Sequence, residues 1–134
     1  MSEKKKGVCI IAWPAGHSRS PLIHNYWIKQ HNLDAEYRRE AVPPEQLTEF
    51  IAHFRERGYI GGNVTVPHKQ AVMALSEPDE RARAVGAANC LWFEAEKLRS
   101  TNTDVDGFLS NLDAVTPGWD RGLETALVLG AGGG

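Results

Sequence analysis

An apolar run followed, after a short break, by a helix start constrains this fold more than any other feature of the sequence. Residues 7–13 (GVCIIAW) are continuously apolar, which is typical of a strand buried on both faces. Residues 14–16 interrupt the run. Ser20 followed by Pro21 then predicts a helix with a hydroxyl at the N-cap and proline at the first helical position. A strand followed closely by a helix is typical of α/β proteins.

The rest of the chain continues this alternation. Further strands are predicted at 35–42, 59–66, 89–93, 98–101 and 125–129, and helices are predicted from Pro43 to Gly58, Pro67 to about Leu75, Pro78 to Val85 and Asp104 to Leu112. Gly61 and Gly62 are expected to allow a close backbone approach within one strand. We therefore predict an α/β fold, with an open, mostly parallel twisted sheet and helices on both faces.

Composition and charge narrow the classes of function. The 134 residues carry 15 Lys and Arg against 17 Asp and Glu, a net charge of -2, which argues against nucleic-acid binding. The longest apolar runs fall well short of the roughly 20 residues of a membrane span. Cys9 and Cys90 form neither a disulfide framework nor a zinc motif, so we expect free thiols in a reducing, cytoplasmic compartment. The five histidines show no metal-ligand spacing, so no metal site is expected.

The first candidate site follows the first strand. Ser18 and Ser20 lie at the predicted mouth of a helix, where unpaired N–H groups and the helix dipole favour an anion. Their hydroxyls could add donors to a carboxylate or phosphate. The alternative is that Ser20 caps the helix and that Ser18 belongs to a turn.

The second candidate site is the segment 62–69, GNVTVPHK. It places Asn63, Thr65 and Lys69 where a strand ends and a helix is predicted to begin, and open α/β sheets bind ligands at such ends. A partly buried lysine can serve as an acid or base. A solvated surface lysine is the alternative.

Two further polar segments flank the predicted strand pair. Asp104 follows Asn102 and Thr103 at a predicted helix start, where its carboxylate could cap the helix, bind a substrate hydroxyl or orient a lysine. Asn89 enters a strand and offers both a donor and an acceptor, although simple turn chemistry would also explain it.

Five residues at the end of the chain form a glycine-rich segment, Gly130, Ala131, Gly132, Gly133 and Gly134. Glycines after a strand let backbone amides approach a pyrophosphate. Without the helix that normally follows, this segment alone is weak support for a nucleotide site.

The order of these segments along the chain closely resembles shikimate dehydrogenase. The resemblance rests on residues 17–25 (HSRSPLIHN), 63–69 (NVTVPHK), 86–89 (GAAN) and 102–104 (NTD), followed by the glycine-rich end. It covers nearly all of the chain from about Val8. It implies an enzyme that reversibly reduces 3-dehydroshikimate to shikimate with NADPH in aromatic amino-acid biosynthesis.

The resemblance also implies roles for individual residues. Ser18 and Ser20 would hold the substrate carboxylate, and Thr65, Asn89 and Asp104 would bind ring hydroxyls, with Asn63 close by. Lys69 would be the acid and base at the reacting oxygen, oriented by Asp104. The glycine-rich segment 130–134 would contribute to the NADP site.

The family's two-domain organisation implies a basic tail at 1–7, a shikimate-binding catalytic domain at 8–115, and a linker with the first strand and glycine loop of an NADP-binding domain at 116–134. The 134 residues alone are expected to bind shikimate weakly and to be inactive, and a homodimer is a further expectation. Two alternatives stay open: a quinate/shikimate dehydrogenase, since Ala12 and Ala15 depart from the family's usual residues near the carboxylate site, or a non-catalytic module that binds shikimate.

Overall fold

A six-stranded mixed sheet organises the residues that the structure, a computed structural model, describes, namely 5–130. The strands are β1 (Lys6–Ala12), β2 (Ala35–Ala41), β3 (Tyr59–Val64), β4 (Glu77–Pro78), β5 (Cys90–Glu94) and β6 (Lys97–Thr101). The α-helices are α1 (Ser20–Gln30), α2 (Leu47–Ala52), α3 (Glu80–Val85) and α4 (Asp104–Val115), and two short 3-10 helices cover Pro44–Gln46 and Ala71–Leu75. Since β1 begins at Lys6, the end of the predicted basic tail belongs to a strand.

The sheet order is β2-β1-β3-β5-β6-β4. β1 pairs in parallel with β2 and β3, and β4 pairs in parallel with β6, whereas β5 runs antiparallel to both β3 and β6. The prediction of an α/β fold with a mostly parallel sheet is therefore confirmed. These directions bring the carboxyl ends of β1, β3 and β6 and the amino end of β5 to one edge of the sheet.

The apolar run of β1 forms the centre of the core. Cys9 and Ile11 are fully buried in a cluster with the apolar face of α2 and Phe54, and Ile10, which points to the other side of the sheet, is also buried. Helix α1 packs against β2 and β1. Both sides of the central strand are thus covered, as the continuous apolar run predicts.

The helix predicted from Pro43 to Gly58 is shorter in the structure, with a 3-10 helix at Pro44–Gln46 and an α-helix only at Leu47–Ala52. Three other predicted elements differ more. Residues 67–70 form turns rather than a helix, and the short 3-10 helix follows them. The backbone carbonyl of Lys69 accepts the Ala88 N–H at 2.8 Å, whereas the Met73 N–H, its partner in an α-helix, donates to the Gln70 carbonyl at 3.2 Å. The helix predicted from Pro78 begins only at Glu80, because Asp79 is its N-cap and accepts the Ala82 N–H at 3.0 Å.

The third difference concerns the apolar strand predicted at 125–129. Residues 123–128 have no regular secondary structure, and Leu127 and Leu129 are 85% and 90% exposed. A strand needs a neighbour to satisfy its backbone hydrogen bonds, and the sheet that the structure describes does not extend to this segment.

Candidate functional site

The polar residues singled out in the sequence all lie near the sheet edge where β1, β3 and β6 end and β5 begins. Ser18 and Ser20 follow β1, Asn63 and Thr65 lie at the end of β3, and Lys69 is in the turn beyond it. Asn89 directly precedes β5, and Asp104 comes shortly after β6. The topology therefore explains how residues far apart in sequence reach one part of the fold.

Lys69 and Asp104 form an ion pair at this edge. Lys69 Nζ donates to Asp104 Oδ2 at 2.8 Å. The lysine side chain is 14% exposed and the aspartate side chain 40% exposed, so the pair is shielded on the lysine side and open on the aspartate side. An ammonium has three N–H donors, so Lys69 can hold Asp104 and still donate a proton to a bound oxygen.

Asn89 fixes the other oxygen of the same carboxylate. Its Nδ2 donates to Asp104 Oδ1 at 2.8 Å and to Thr103 Oγ1 at 2.9 Å. Its Oδ1 accepts the Thr103 N–H at 3.0 Å. The prediction that Asn89 serves at once as donor and acceptor agrees with this geometry.

The buried Asn102 holds the start of α4. Its Oδ1 accepts the Asp104 N–H at 2.9 Å, and its Nδ2 donates to the Ala87 carbonyl at 3.0 Å. Asp104 is the first helical residue, and Thr103 is the N-cap without a side-chain capping bond. The prediction that Asp104 caps this helix is therefore wrong, and its carboxylate is free to bond Lys69 and Asn89.

Ser18, Ser20 and Thr65 line a hollow of about 380 Å³, whose lining does not include Lys69, Asn89 or Asp104. Its apolar side is formed by Ile10, Ala12, Trp13, Pro14 and Val66, and His17 also lines it. Ser18 Oγ accepts the Ser20 N–H at 3.3 Å. Since Arg19 is the N-cap of α1 and Ser20 is its first residue, the prediction that Ser20 caps α1 is wrong.

Asn63, at the end of β3, contacts both Asn89 and Tyr37. Its Nδ2 donates to the Asn89 backbone carbonyl at 3.4 Å, and its Oδ1 accepts the Tyr37 hydroxyl at 2.7 Å. Burial raises the pKa of Tyr37 above its ordinary value, which keeps the hydroxyl protonated as a donor. Asn63 is thus held in one orientation from two sides.

Sequence reasoning missed Tyr37 and Arg39, which support this site from β2. Asn25 of α1 accepts the Tyr37 N–H at 2.9 Å and donates to the Tyr37 carbonyl at 2.8 Å. Arg39 bonds the Ser18 carbonyl. Their spacing puts both on one face of β2, since residues two apart share a face of the sheet, but no local pattern in the sequence marks that face as part of the site.

The structure describes only one residue of the predicted nucleotide site. Gly130 has φ +94, and no atom lies within 4 Å of the position that a Cβ would take, so its backbone is open to a close approach. Ala131, Gly132, Gly133 and Gly134 lie outside the described residues.

Within residues 5–130, the side chains and helices show whether that part of the chain meets the requirements of a metal site or of a membrane span. No group of three or more His, Cys, Asp or Glu side chains there could hold a metal ion. Of the helices described, none has the length and apolar character needed to cross a membrane.

Comparison with known proteins decides the family. A family model of the shikimate dehydrogenase substrate binding domain matches residues 10–91. The chain belongs to this family. The match runs from the second half of β1 to the start of β5 and includes the segments of Ser18, Thr65, Lys69 and Asn89. The resemblance seen in the sequence is confirmed.

Individual relatives of the family agree. The chain is 59% identical to "Shikimate dehydrogenase (NADP(+))" of Rhodopseudomonas palustris strain BisB18, over 96% of this chain and 46% of that protein. It is 58% identical to the protein of the same description from Nitrobacter hamburgensis, over 97% and 45%. The chain therefore spans about half the length of the curated relatives it matches.

A solved structure gives the same result at the level of the fold. Shikimate dehydrogenase from Aquifex aeolicus superimposes with a TM-score of 0.82 at 32% identity, covering 87% of this chain and 44% of that one. The described fold is thus that of roughly one half of a shikimate dehydrogenase.

Proposed function

We propose that this chain is the substrate-binding part of an NADP-dependent shikimate dehydrogenase. The enzyme would catalyse the reversible reduction of 3-dehydroshikimate to shikimate in aromatic amino-acid biosynthesis. The observation that carries the proposal is the Lys69–Asp104 ion pair, 2.8 Å long, at the same sheet edge as the serine-lined hollow. The names of the relatives support the same activity and the same cofactor.

In this proposal Ser18 and Ser20 bind the carboxylate of the substrate. Both side chains line the hollow, and both lie at the start of α1, where the helix dipole favours negative charge. Hydroxyl donors add hydrogen bonds to an anion without introducing a second charge that would need burial.

Ring hydroxyls are assigned to Thr65, Asn89 and Asp104, with Asn63 close by. Asp104 accepts hydrogen bonds through both oxygens already, and each carboxylate oxygen has a further lone pair for a substrate hydroxyl. Its 40% exposure leaves it accessible to such a ligand.

Lys69 is the proposed acid and base. Reduction of a ketone leaves negative charge on the oxygen, and an ammonium that donates a proton there stabilises it. In the reverse direction the neutral amine takes the proton from the hydroxyl. Asp104 keeps the amine oriented in both directions, because its bond to Nζ does not involve the reacting oxygen.

NADPH, when bound, supplies the hydride for the reduction, which no side chain can supply. We propose that residues 8–115 form the catalytic substrate-binding unit and that residues 116–134 lead into the NADP-binding domain, with segment 130–134 as its glycine loop. The residues described here contribute orientation and charge to the reaction.

We also propose a cytoplasmic location and a homodimer. The free thiols of Cys9 and Cys90 are compatible with a reducing compartment. Exposed apolar side chains on α1, such as Leu22 and Trp27 at 72% and 52%, offer surface for association. Sedimentation of the full-length protein tests the homodimer, and a monomer at all concentrations would refute it.

The direct test of the activity is turnover by the full-length protein that contains this sequence. We expect shikimate-dependent reduction of NADP, faster than with NAD, and slower or no turnover with quinate. Faster turnover of quinate would favour the quinate/shikimate dehydrogenase alternative. Binding of shikimate by calorimetry without any turnover would favour a non-catalytic module.

A further inference from the structure

Arg39 contacts the segment that carries Ser18, although it belongs to a different element. It lies near the end of β2, and its Nε and Nη2 both donate to the Ser18 backbone carbonyl, at 3.0 and 2.7 Å. Two donors from one planar guanidinium fix both the distance and the direction of the acceptor. A single flexible donor would fix only the distance.

The other hydrogen bonds described for Ser18 are local. Its N–H donates to the Ala15 carbonyl at 3.2 Å, and its Oγ accepts the Ser20 N–H at 3.3 Å. Both bonds lie within the connection between β1 and α1 and can move with it. The bond from Arg39 ties this connection to the sheet, 21 residues away in sequence.

We propose that Arg39 is a positioning residue for substrate binding: its guanidinium holds the Ser18 carbonyl so that the Ser18 hydroxyl points to the substrate carboxylate. This inference rests on the proposed function. It differs from a direct electrostatic role, in which the positive charge of Arg39 attracts the substrate carboxylate whatever Ser18 does.

A double-mutant cycle separates these two roles in the full-length protein. The variants are Arg39→Met, Ser18→Ala and the pair combined, assayed by steady-state oxidation of shikimate. We expect Arg39→Met to raise KM by about tenfold, the value of one hydrogen bond to a charged group, with kcat within about twofold of the wild type. In the Ser18→Ala background the same change should have little further effect, because residues that act through one contact are not additive.

Two further variants complete the design. Arg39→Lys keeps the charge but not the two fixed donors. We therefore expect its KM to lie between that of the wild type and the raised KM of Arg39→Met. Arg38→Met removes the same charge from the preceding residue of β2. The Arg38 guanidinium pairs with exposed Glu36 at 2.7 Å, so this substitution should leave KM unchanged.

The outcomes are distinguishable. A full KM penalty from Arg39→Met in the Ser18→Ala background, or complete recovery by Arg39→Lys, would show a charge effect and overturn the positioning role. An unchanged KM in Arg39→Met would overturn it as well. A wild-type protein that does not oxidise shikimate would instead refute the proposed function itself.

Discussion

Lys69 is the residue on which the proposed chemistry depends. Replacing it with alanine in the full-length protein removes the proton donor but leaves the serine-lined hollow intact. We expect Lys69→Ala to lower kcat by about 10²- to 10⁴-fold, the usual contribution of general acid–base catalysis. Shikimate affinity, measured by calorimetry, should change by less than about fivefold, since other residues bind the carboxylate and ring.

Lys97→Ala is the matched control for that experiment. Lys97 also forms an ion pair with a carboxylate, Glu77, at 3.1 Å, but it is 67% exposed and lies on β6 at the opposite end of the hairpin. The Lys97→Ala substitution should leave kcat unchanged. Retained turnover with lost binding in Lys69→Ala would contradict the role given to Lys69.

The two cysteines provide a pH-dependent prediction. Burial raises the pKa of the Cys90 thiol, and also that of Cys9, above the ordinary values. Because the thiolate is the reactive form, both should react with iodoacetamide more slowly than free cysteine at neutral pH. Labelling of Cys90 should increase as the pH is raised, whereas fully buried Cys9 should require denaturant. Mass spectrometry of the labelled peptides measures this, and rapid labelling of Cys90 at pH 7 would contradict it.

At the scale of elements, the contact between β1 and β3 depends on Gly62. A Cβ at this position would lie 2.7 Å from the Cys9 backbone carbonyl oxygen, which cannot move without distorting the sheet. We expect Gly62→Ala to lower the free energy of unfolding by about 1–3 kcal/mol, as overpacking does. The midpoint of urea unfolding measures the change.

Gly107 is the control within α4. No atom lies within 4 Å of the position of its Cβ, and alanine is the better helix former. Gly107→Ala should raise the free energy of unfolding by up to about 1 kcal/mol. Equal destabilisation by the two substitutions would show that the close approach at Gly62 is not what matters.

Helix α3 depends on its N-cap. Asp79 accepts the Ala82 N–H at 3.0 Å. Burial alone would raise the pKa of Asp79, but hydrogen bonds to the carboxylate outweigh this and leave the pKa below its ordinary value. The stabilisation is therefore present above the ordinary pKa and is lost as the pH falls through the lowered pKa.

We expect Asp79→Ala to cost about 1 kcal/mol of unfolding free energy at neutral pH, and the cost should shrink in acid, below about pH 4. Asp79→Asn keeps a capping oxygen that does not titrate, so it should retain most of the stability and lose the pH dependence. Urea unfolding at several pH values tests both. An equal loss from Asn and Ala would mean that charge, not capping, stabilises α3.

The elements that the sequence predicted well are those decided by local patterns. The apolar run of β1, the paired strands β5 and β6 and the helix after Ser20 each follow from neighbouring residues. The turn at 67–70 was mispredicted because its geometry depends on Ala88, which bonds the Lys69 carbonyl and is distant in sequence. Pro78 suggested a helix start by rule, but the side chain of Asp79 caps the helix one residue later.

The candidate site shows the same difference between features set by local sequence and features set by contacts between distant residues. Lys69, Asp104 and Asn89 are candidates because they lie at predicted strand and helix ends, and the resemblance to a known family implies their roles. The structure brings Lys69 and Asn89 into direct contact with Asp104. Tyr37 and Arg39 have no local motif. Their contacts with Asn63 and Ser18 arise from the order of the strands, which a pattern of neighbouring residues does not reveal.

At the scale of the whole molecule, the chain spans about half the length of its relatives. In the proposed reaction, residues 8–115 bind the substrate and protonate its oxygen, and NADPH supplies the hydride. We therefore expect the 134-residue chain alone, once circular dichroism shows that it is folded, to bind shikimate weakly in a calorimeter and to show no NADP reduction. Oxidation of shikimate by this chain alone at an ordinary enzymatic rate would contradict this division of roles.

The central claim is that the serine hydroxyls and the Lys69–Asp104 pair act on one substrate molecule. A crystal structure of the full-length protein with shikimate tests it most directly. We predict that the carboxylate accepts hydrogen bonds from Ser18 and Ser20 while a ring hydroxyl lies within hydrogen-bond distance of Lys69 Nζ and Asp104. Shikimate bound with its carboxylate away from both serines, or with no oxygen near Lys69, would contradict the account.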